Sequence, residues 1–210
     1  LWVWEEEQAG GFLEEARGLL LSDGVLALPT ETYYALAVNP FDEAALARLF
    51  ALKARPPEKP VLVLIAAPES LSRLAREVPE AASRLIAAFW PGPLTLILPA
   101  RPDLPRRLTG GTGTIGVRQP RQPLVCRLMA TLGLPLTGTS ANRSGQEPLT
   151  EASEVAREFG GEVDLILDAG PCPGGLPSTI VDVSAAPPFL VRAGAISTNL
   201  LRGVIPDLRS

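Results

Sequence analysis

Lys53 and Lys59 are the only lysines of this 210-residue chain, and they bracket an arginine in the segment Lys53-Ala54-Arg55-Pro56-Pro57-Glu58-Lys59. Every other basic side chain is arginine. Lysine is a compact ammonium on a flexible stem and arginine a planar fork, so the two are not interchangeable at a phosphate. A cluster holding both suits a polyphosphate, whose oxygens face several directions. The same residues also fit a solvated charge cluster at the end of a helix, and spacing alone leaves both readings open.

Other residues with chemical potential sit where strands should end. Pro29-Thr30-Glu31-Thr32-Tyr33 follows an apolar run, and two hydroxyls with a carboxylate there suit a small polar molecule or a helix cap. Thr139-Ser140-Ala141-Asn142 repeats the pattern, as an anion-binding nest or an ordinary turn. Arg118, Ser178 and Arg192 each stand at a predicted strand boundary. Gly111-Thr112-Gly113-Thr114-Ile115-Gly116 matches G-x-G-x-x-G formally, but a Pro/Arg loop precedes it and a strand follows, so it is not a dinucleotide fingerprint. No glycine is followed by lysine, so a Walker A loop is excluded.

Composition narrows the chemistry further. The chain has no histidine, which excludes a Ser-His-Asp or Cys-His nucleophile system and a His-ligated zinc. Cys126 and Cys172 form no CxxC pair, and the expected setting is a reducing cytoplasm. The net charge is −4, yet residues 101–146 hold seven arginines against one acid, Asp103. Such segregation attracts an anion at one place rather than everywhere. No apolar run approaches the ~20 residues of a membrane helix, and the acidic N-terminus is unlike a signal peptide. The site thus reads as one that aligns and neutralises anions, with no protein metal ligands expected.

The elements that must position these residues follow from periodicity. Helices are expected over 8–21, over 43–53 with Asp42 as cap, near 69–76 and 79–89, and over 123–132 and 150–159. Strands are expected over 25–28, 61–65, 94–98, 114–117, 134–137, 165–167, 179–183 and 189–191, before a short final helix. Residues 101–113 and 139–145 read as loops. Strands interleaved with helices indicate an α/β fold.

Seven segments, in order, carry a resemblance to a known family. They are Pro29-Thr30-Glu31-Thr32-Tyr33, Lys53-x-Arg55-Pro56, Phe89-Trp90-Pro91-Gly92-Pro93-Leu94-Thr95, Gly116-Val117-Arg118-x-Pro120, Thr139-Ser140-Ala141-Asn142-x-Ser144-Gly145, Ser178-Thr179-Ile180-Val181-Asp182 and Arg192-x-Gly194-Ala195-Ile196. Together they resemble the YrdC-like family, the threonylcarbamoyl-AMP synthases. The resemblance implies a single domain over 1–210 with no additional C-terminal domain. It implies a twisted, mixed β-sheet flanked by helices around a positively charged concave cavity. The implied reaction joins ATP, L-threonine and bicarbonate into threonylcarbamoyl-AMP and pyrophosphate, with Mg²⁺ on the nucleotide, and hands the product to a separate tRNA-modifying transferase. Thr32, Arg118 and Ser178 would contact threonine. Lys53, Arg55, Lys59, Thr114, Ser140, Asn142 and Arg192 would line the nucleotide side, with Lys53 and Arg55 catalytic.

The chain departs from the family pattern at Leu64, where many members carry histidine, and at Tyr34-Ala35-Leu36-Ala37, Lys59 and Ala193. Two alternatives therefore stay beside the leading one. One is an RNA-binding module, double-stranded RNA included, that uses the basic cavity. The other is a diverged paralogue acting on a different carbamoyl-adenylate substrate.

Overall fold

The computed structural model describes residues 1–3, 5 and 9–210. Position 8, the expected start of the first helix, lies outside the described residues. The mixed α/β class is as the sequence indicates, but the ladders divide into two sheets.

The first sheet holds β1 (Trp2–Val3), β2 (Leu26–Leu28), β3 (Ala35–Ala37), β8 (Thr139–Ser140) and β9 (Leu165–Asp168), in the order β1-β9-β2-β3-β8. The second holds β4 (Val63–Leu64), β5 (Leu94–Pro99), β6 (Thr114–Arg118), β7 (Leu136–Thr137), β10 (Thr179–Asp182) and β11 (Phe189–Arg192), in the order β11-β10-β5-β6-β4-β7. Both are mixed: β2 runs parallel to β9 and antiparallel to β3, while β5 runs parallel to β10 and antiparallel to β6.

Around them lie α1 (Ala9–Leu20), α2 (Glu43–Lys53), α3 (Glu80–Phe89), α4 (Arg106–Thr109), α5 (Pro123–Leu132), α6 (Ala152–Phe159) and α7 (Thr198–Val204). A 3-10 helix, Pro68–Arg73, replaces the α-helix expected near 69–76. Two apolar clusters hold the layers. One joins Leu46, Leu49 and Phe50 of α2 with Val155 and Phe159 of α6 and the inner faces of β5 and β6. The other joins Phe12, Ala16 and Leu20 of α1 with Val125, Leu128 and Met129 of α5.

Gly138 is the single residue between β7 of one sheet and β8 of the other. A Cβ there would sit 2.4 Å from Leu64 Cγ, so only glycine lets the chain step between sheets over that side chain. The expected loop at 139–145 therefore begins as strand β8, and the Ala35–Ala37 strand, rich in alanine, carries little β-propensity of its own. Thr109 ends a one-turn helix inside the expected 101–113 loop.

Candidate active site

The Asp42 carboxylate starts α2 by accepting from the Ala44 and Ala45 amides at 2.8 and 3.0 Å. The helix stops at Ala54, whose φ of 48° reverses the chain without a glycine. That reversal sends the two neighbouring cations opposite ways. Lys53 turns inward and is 1% exposed, its ammonium donating to the carbonyls of Ser140 and Asn142 at 2.5 Å each. The Ser144 amide answers by donating to the Lys53 carbonyl at 2.8 Å. Burial, reinforced by the nearby Arg55 charge, pushes the Lys53 ammonium down to about 7. Arg55 instead closes the proline-rich loop, donating from Nη2 to Pro60 O at 2.6 Å and from Nε to Lys59 O at 3.3 Å.

Between the sheets lies a cavity of about 330 Å³. Of the ten residues expected to bind substrate, seven line it: Thr32, Arg55, Thr114, Arg118, Ser140, Ser178 and Arg192. Lys53, Lys59 and Asn142 do not. Lys53 and Asn142 lie behind the wall, where Asn142 Oδ1 accepts from Ser140 Oγ at 2.5 Å and its amide donates to Arg143 O and Gln146 O. Lys59 is exposed on the loop outside.

The hydroxyl side is built by local turns. Thr30 Oγ1 accepts from the amides of Thr32 and Tyr33 and donates to Tyr33 O at 2.7 Å, which fixes the turn after β2. The hydroxyls of Thr30 and Thr32 stand 3.1 Å apart. A second hydroxyl pair lines the cavity, Ser178 Oγ and Thr95 Oγ1, 3.0 Å apart. Arg192 on edge strand β11 clamps that corner, donating from Nη2 to Ser178 O at 2.8 Å and to Ser178 Oγ at 3.1 Å. Thr30, one of the two hydroxyls the sequence offers after β2, also lines the cavity, as does Thr95, which sequence reasoning missed although it stands inside a segment that carries the family resemblance.

Three guanidiniums, Arg55, Arg118 and Arg192, supply the charge of the wall, and among the described residues the lining contains no carboxylate. Burial lowers the pKa of each. For Arg118 the Glu31 carboxylate opposes this shift and Arg192 adds to it. Cations partly stripped of water in one hollow gain from an anion that shares it. Two hydroxyl pairs and three guanidiniums in one hollow suit a ligand that joins a small polar group to phosphates.

Residues 18–194 match the Sua5_yciO_yrdC family, described as telomere recombination. The chain is 39% identical over 206 residues to the threonylcarbamoyl-AMP synthase of Pyrococcus abyssi, covering 98% of this chain and 58% of that protein. It is 39% identical over 194 residues to the threonylcarbamoyl-AMP synthase of Bacillus subtilis, covering 92% and 56%. The chain thus spans a little over half the length of both. The crystal structure of P. abyssi Sua5 complexed with L-threonine is similar with a TM-score of 0.90 at 39% identity, covering 94% of this chain and 58% of that one. With nearly the whole chain aligned to such relatives, and its fold shared with them, this protein belongs to the Sua5_yciO_yrdC family.

Proposed function

We propose that this chain binds ATP and L-threonine side by side in the cavity between the sheets and makes threonylcarbamoyl-AMP. The carrying observation is one hollow lined by Arg55, Arg118 and Arg192 without a carboxylate among the described residues, together with two hydroxyl pairs. The threonine amine captures bicarbonate as a carbamate with loss of water. The carbamate oxygen attacks the α-phosphorus of ATP, and pyrophosphate leaves. Substrates supply nucleophile and leaving group, so the protein contributes alignment and charge neutralisation, and alignment alone is worth up to ~7–11 kcal/mol.

Thr32, Arg118 and Ser178 hold threonine in this reading, Arg118 by its carboxylate. Arg55, Thr114, Ser140 and Arg192 hold the nucleotide, and Arg55 neutralises charge that moves onto pyrophosphate. Lys53 and Asn142 shape the Ser140 loop from behind. Lys53 already commits two N–H donors to the Ser140 and Asn142 carbonyls. Mg²⁺ enters with ATP as part of the substrate. With no carboxylate among the described lining residues, phosphate oxygens and water would be its ligands in the cavity. The product serves a tRNA-modifying transferase, and the reaction belongs in the cytoplasm.

The test is pyrophosphate release from Mg–ATP, with L-threonine and bicarbonate each left out in turn. Release is expected to require both. Release that proceeds equally without threonine, or with serine in its place, overturns the reading in favour of a different carbamoyl-adenylate substrate.

A further inference from the structure

Arg118 is the last residue of β6 and is 4% exposed. Its Nε is buried without a hydrogen-bond partner. Facing it at 3.8 Å is Glu31 Oε1, an atom equally buried and equally unpartnered. The separation is that of an ion pair and too long for a hydrogen bond. The other carboxylate oxygen of Glu31 accepts from the Arg121 amide at 3.3 Å, which ties the side chain to the segment just after β6. Glu31 does not line the main cavity. It lies behind the wall, in a neighbouring hollow shared with Arg121, Gln122 and Cys172.

This arrangement divides the guanidinium into a back and a front. The back, Nε, looks at Glu31. The front faces the cavity, where Arg118 is a lining residue, and the terminal nitrogens have no protein hydrogen-bond partner among the described residues. A planar fork held from behind by one carboxylate presents two parallel N–H donors to another. We infer that Glu31 is a positioning residue: from outside the cavity it holds the Arg118 guanidinium edge-on to the cavity, so that the fork grips the carboxylate of the amino-acid substrate.

The inference deepens the proposed function and rests on it. Without Glu31, Arg118 stays in a nearly dry wall beside the like charge of Arg192. A buried charge that loses its partner either moves toward water or weakens the fold. Either response alters the grip on a carboxylate and leaves Arg55, Thr114 and Ser140 in place. The signature is therefore selective loss of one substrate, which a general loss of packing does not produce.

The experiment compares the wild-type chain with Glu31→Gln and Glu31→Asp. It measures KM for L-threonine and for ATP in pyrophosphate release, the Kd of L-threonine by calorimetry, and thermal unfolding. Glu31→Gln keeps shape and removes charge, and is expected to raise the threonine KM and Kd about tenfold or more, with the ATP KM changed less than about twofold. Glu31→Asp keeps the charge at a longer distance and is expected to fall between, which keeps the question answerable if the glutamine variant does not fold. Threonine and ATP constants that move together, or neither moving, overturn the inference. A wild-type chain that binds no threonine overturns the underlying reading instead, and is seen before any variant is compared.

Discussion

Lys53 shows how far one residue's surroundings can redirect its role. The sequence presents it as the first cation of a phosphate-binding cluster, and the fold spends its ammonium on two backbone carbonyls. Substitution is therefore a structural event as well as a functional one. Lys53→Met keeps most of the volume but leaves the Ser140 and Asn142 carbonyls short of a donor, each costing ~1–3 kcal/mol. The pH dependence has a definite sign. With its folded value near 7 against an ordinary 10.5, Lys53 binds fewer protons in the folded chain than in the unfolded one between those limits. Stability from this group therefore rises from about pH 7 to about pH 10.5 and is lowest below that window. Urea unfolding of wild type and Lys53→Met across that range is expected to show a rise in the wild type that the variant lacks. Parallel pH profiles would remove Lys53 as its source.

At the scale of elements, the site depends on turns that bring strand ends together. Ser178 and Arg192 stand on different segments, and Gly194 is what lets them meet. A Cβ at Gly194 would lie 2.3 Å from Pro177 O and 2.6 Å from the Thr179 amide nitrogen, both backbone atoms that cannot swing aside. Gly194→Ala must therefore push the Pro177–Thr179 backbone away from the segment carrying Arg192. The expected cost is ~1–3 kcal/mol in denaturant unfolding, a size associated with overpacking. Loss of the Arg192–Ser178 clamp is expected to weaken ATP and threonine together, because the proposed function gives Arg192 to the nucleotide and Ser178 to threonine. The contrast with the selective effect expected at Glu31 makes the two variants informative as a pair. An alanine variant as stable as wild type would show that the segments have room to separate.

At the scale of the molecule, the question is which anion the arginine-lined cavity takes. Among the described residues, no helix is long and apolar enough to cross a membrane. Net charge is −4, so an RNA backbone meets an acidic protein with a local basic wall, whereas Mg–ATP needs only the wall. Mg–ATP at about a hundred times its Kd is expected to stabilise the chain by ~2.7 kcal/mol through mass action. Titration with ATP and with tRNA at increasing salt separates the two. ATP binding that survives moderate salt, with RNA binding weak throughout, is the expected outcome. Tight RNA binding that falls steeply with salt, in a protein blind to ATP, would favour the RNA-binding alternative.

Much of this chain is written locally. Asp42 caps α2, the apolar positions of 43–53 build its face, and Pro123 and Gly133 bound α5, because helix start, period and stop depend on neighbours a few residues away. The order of the polar segments likewise carries the family. Local sequence says nothing, however, about which side of a wall a side chain occupies. Arg55, two residues beyond Lys53, lines the cavity; Lys53 is buried behind it and Lys59 is left outside. The Ala35–Ala37 strand exists because β2 and β8 pair with it, and the cavity exists because Gly138 carries the chain from one sheet to the other. Glu31 and Arg118 become partners only when the ends of β2 and β6 meet. Residue type and spacing thus determined which groups were available for anion chemistry. Long-range packing alone decided which of them face the cavity, since direction and burial depend on contacts between residues far apart in the chain.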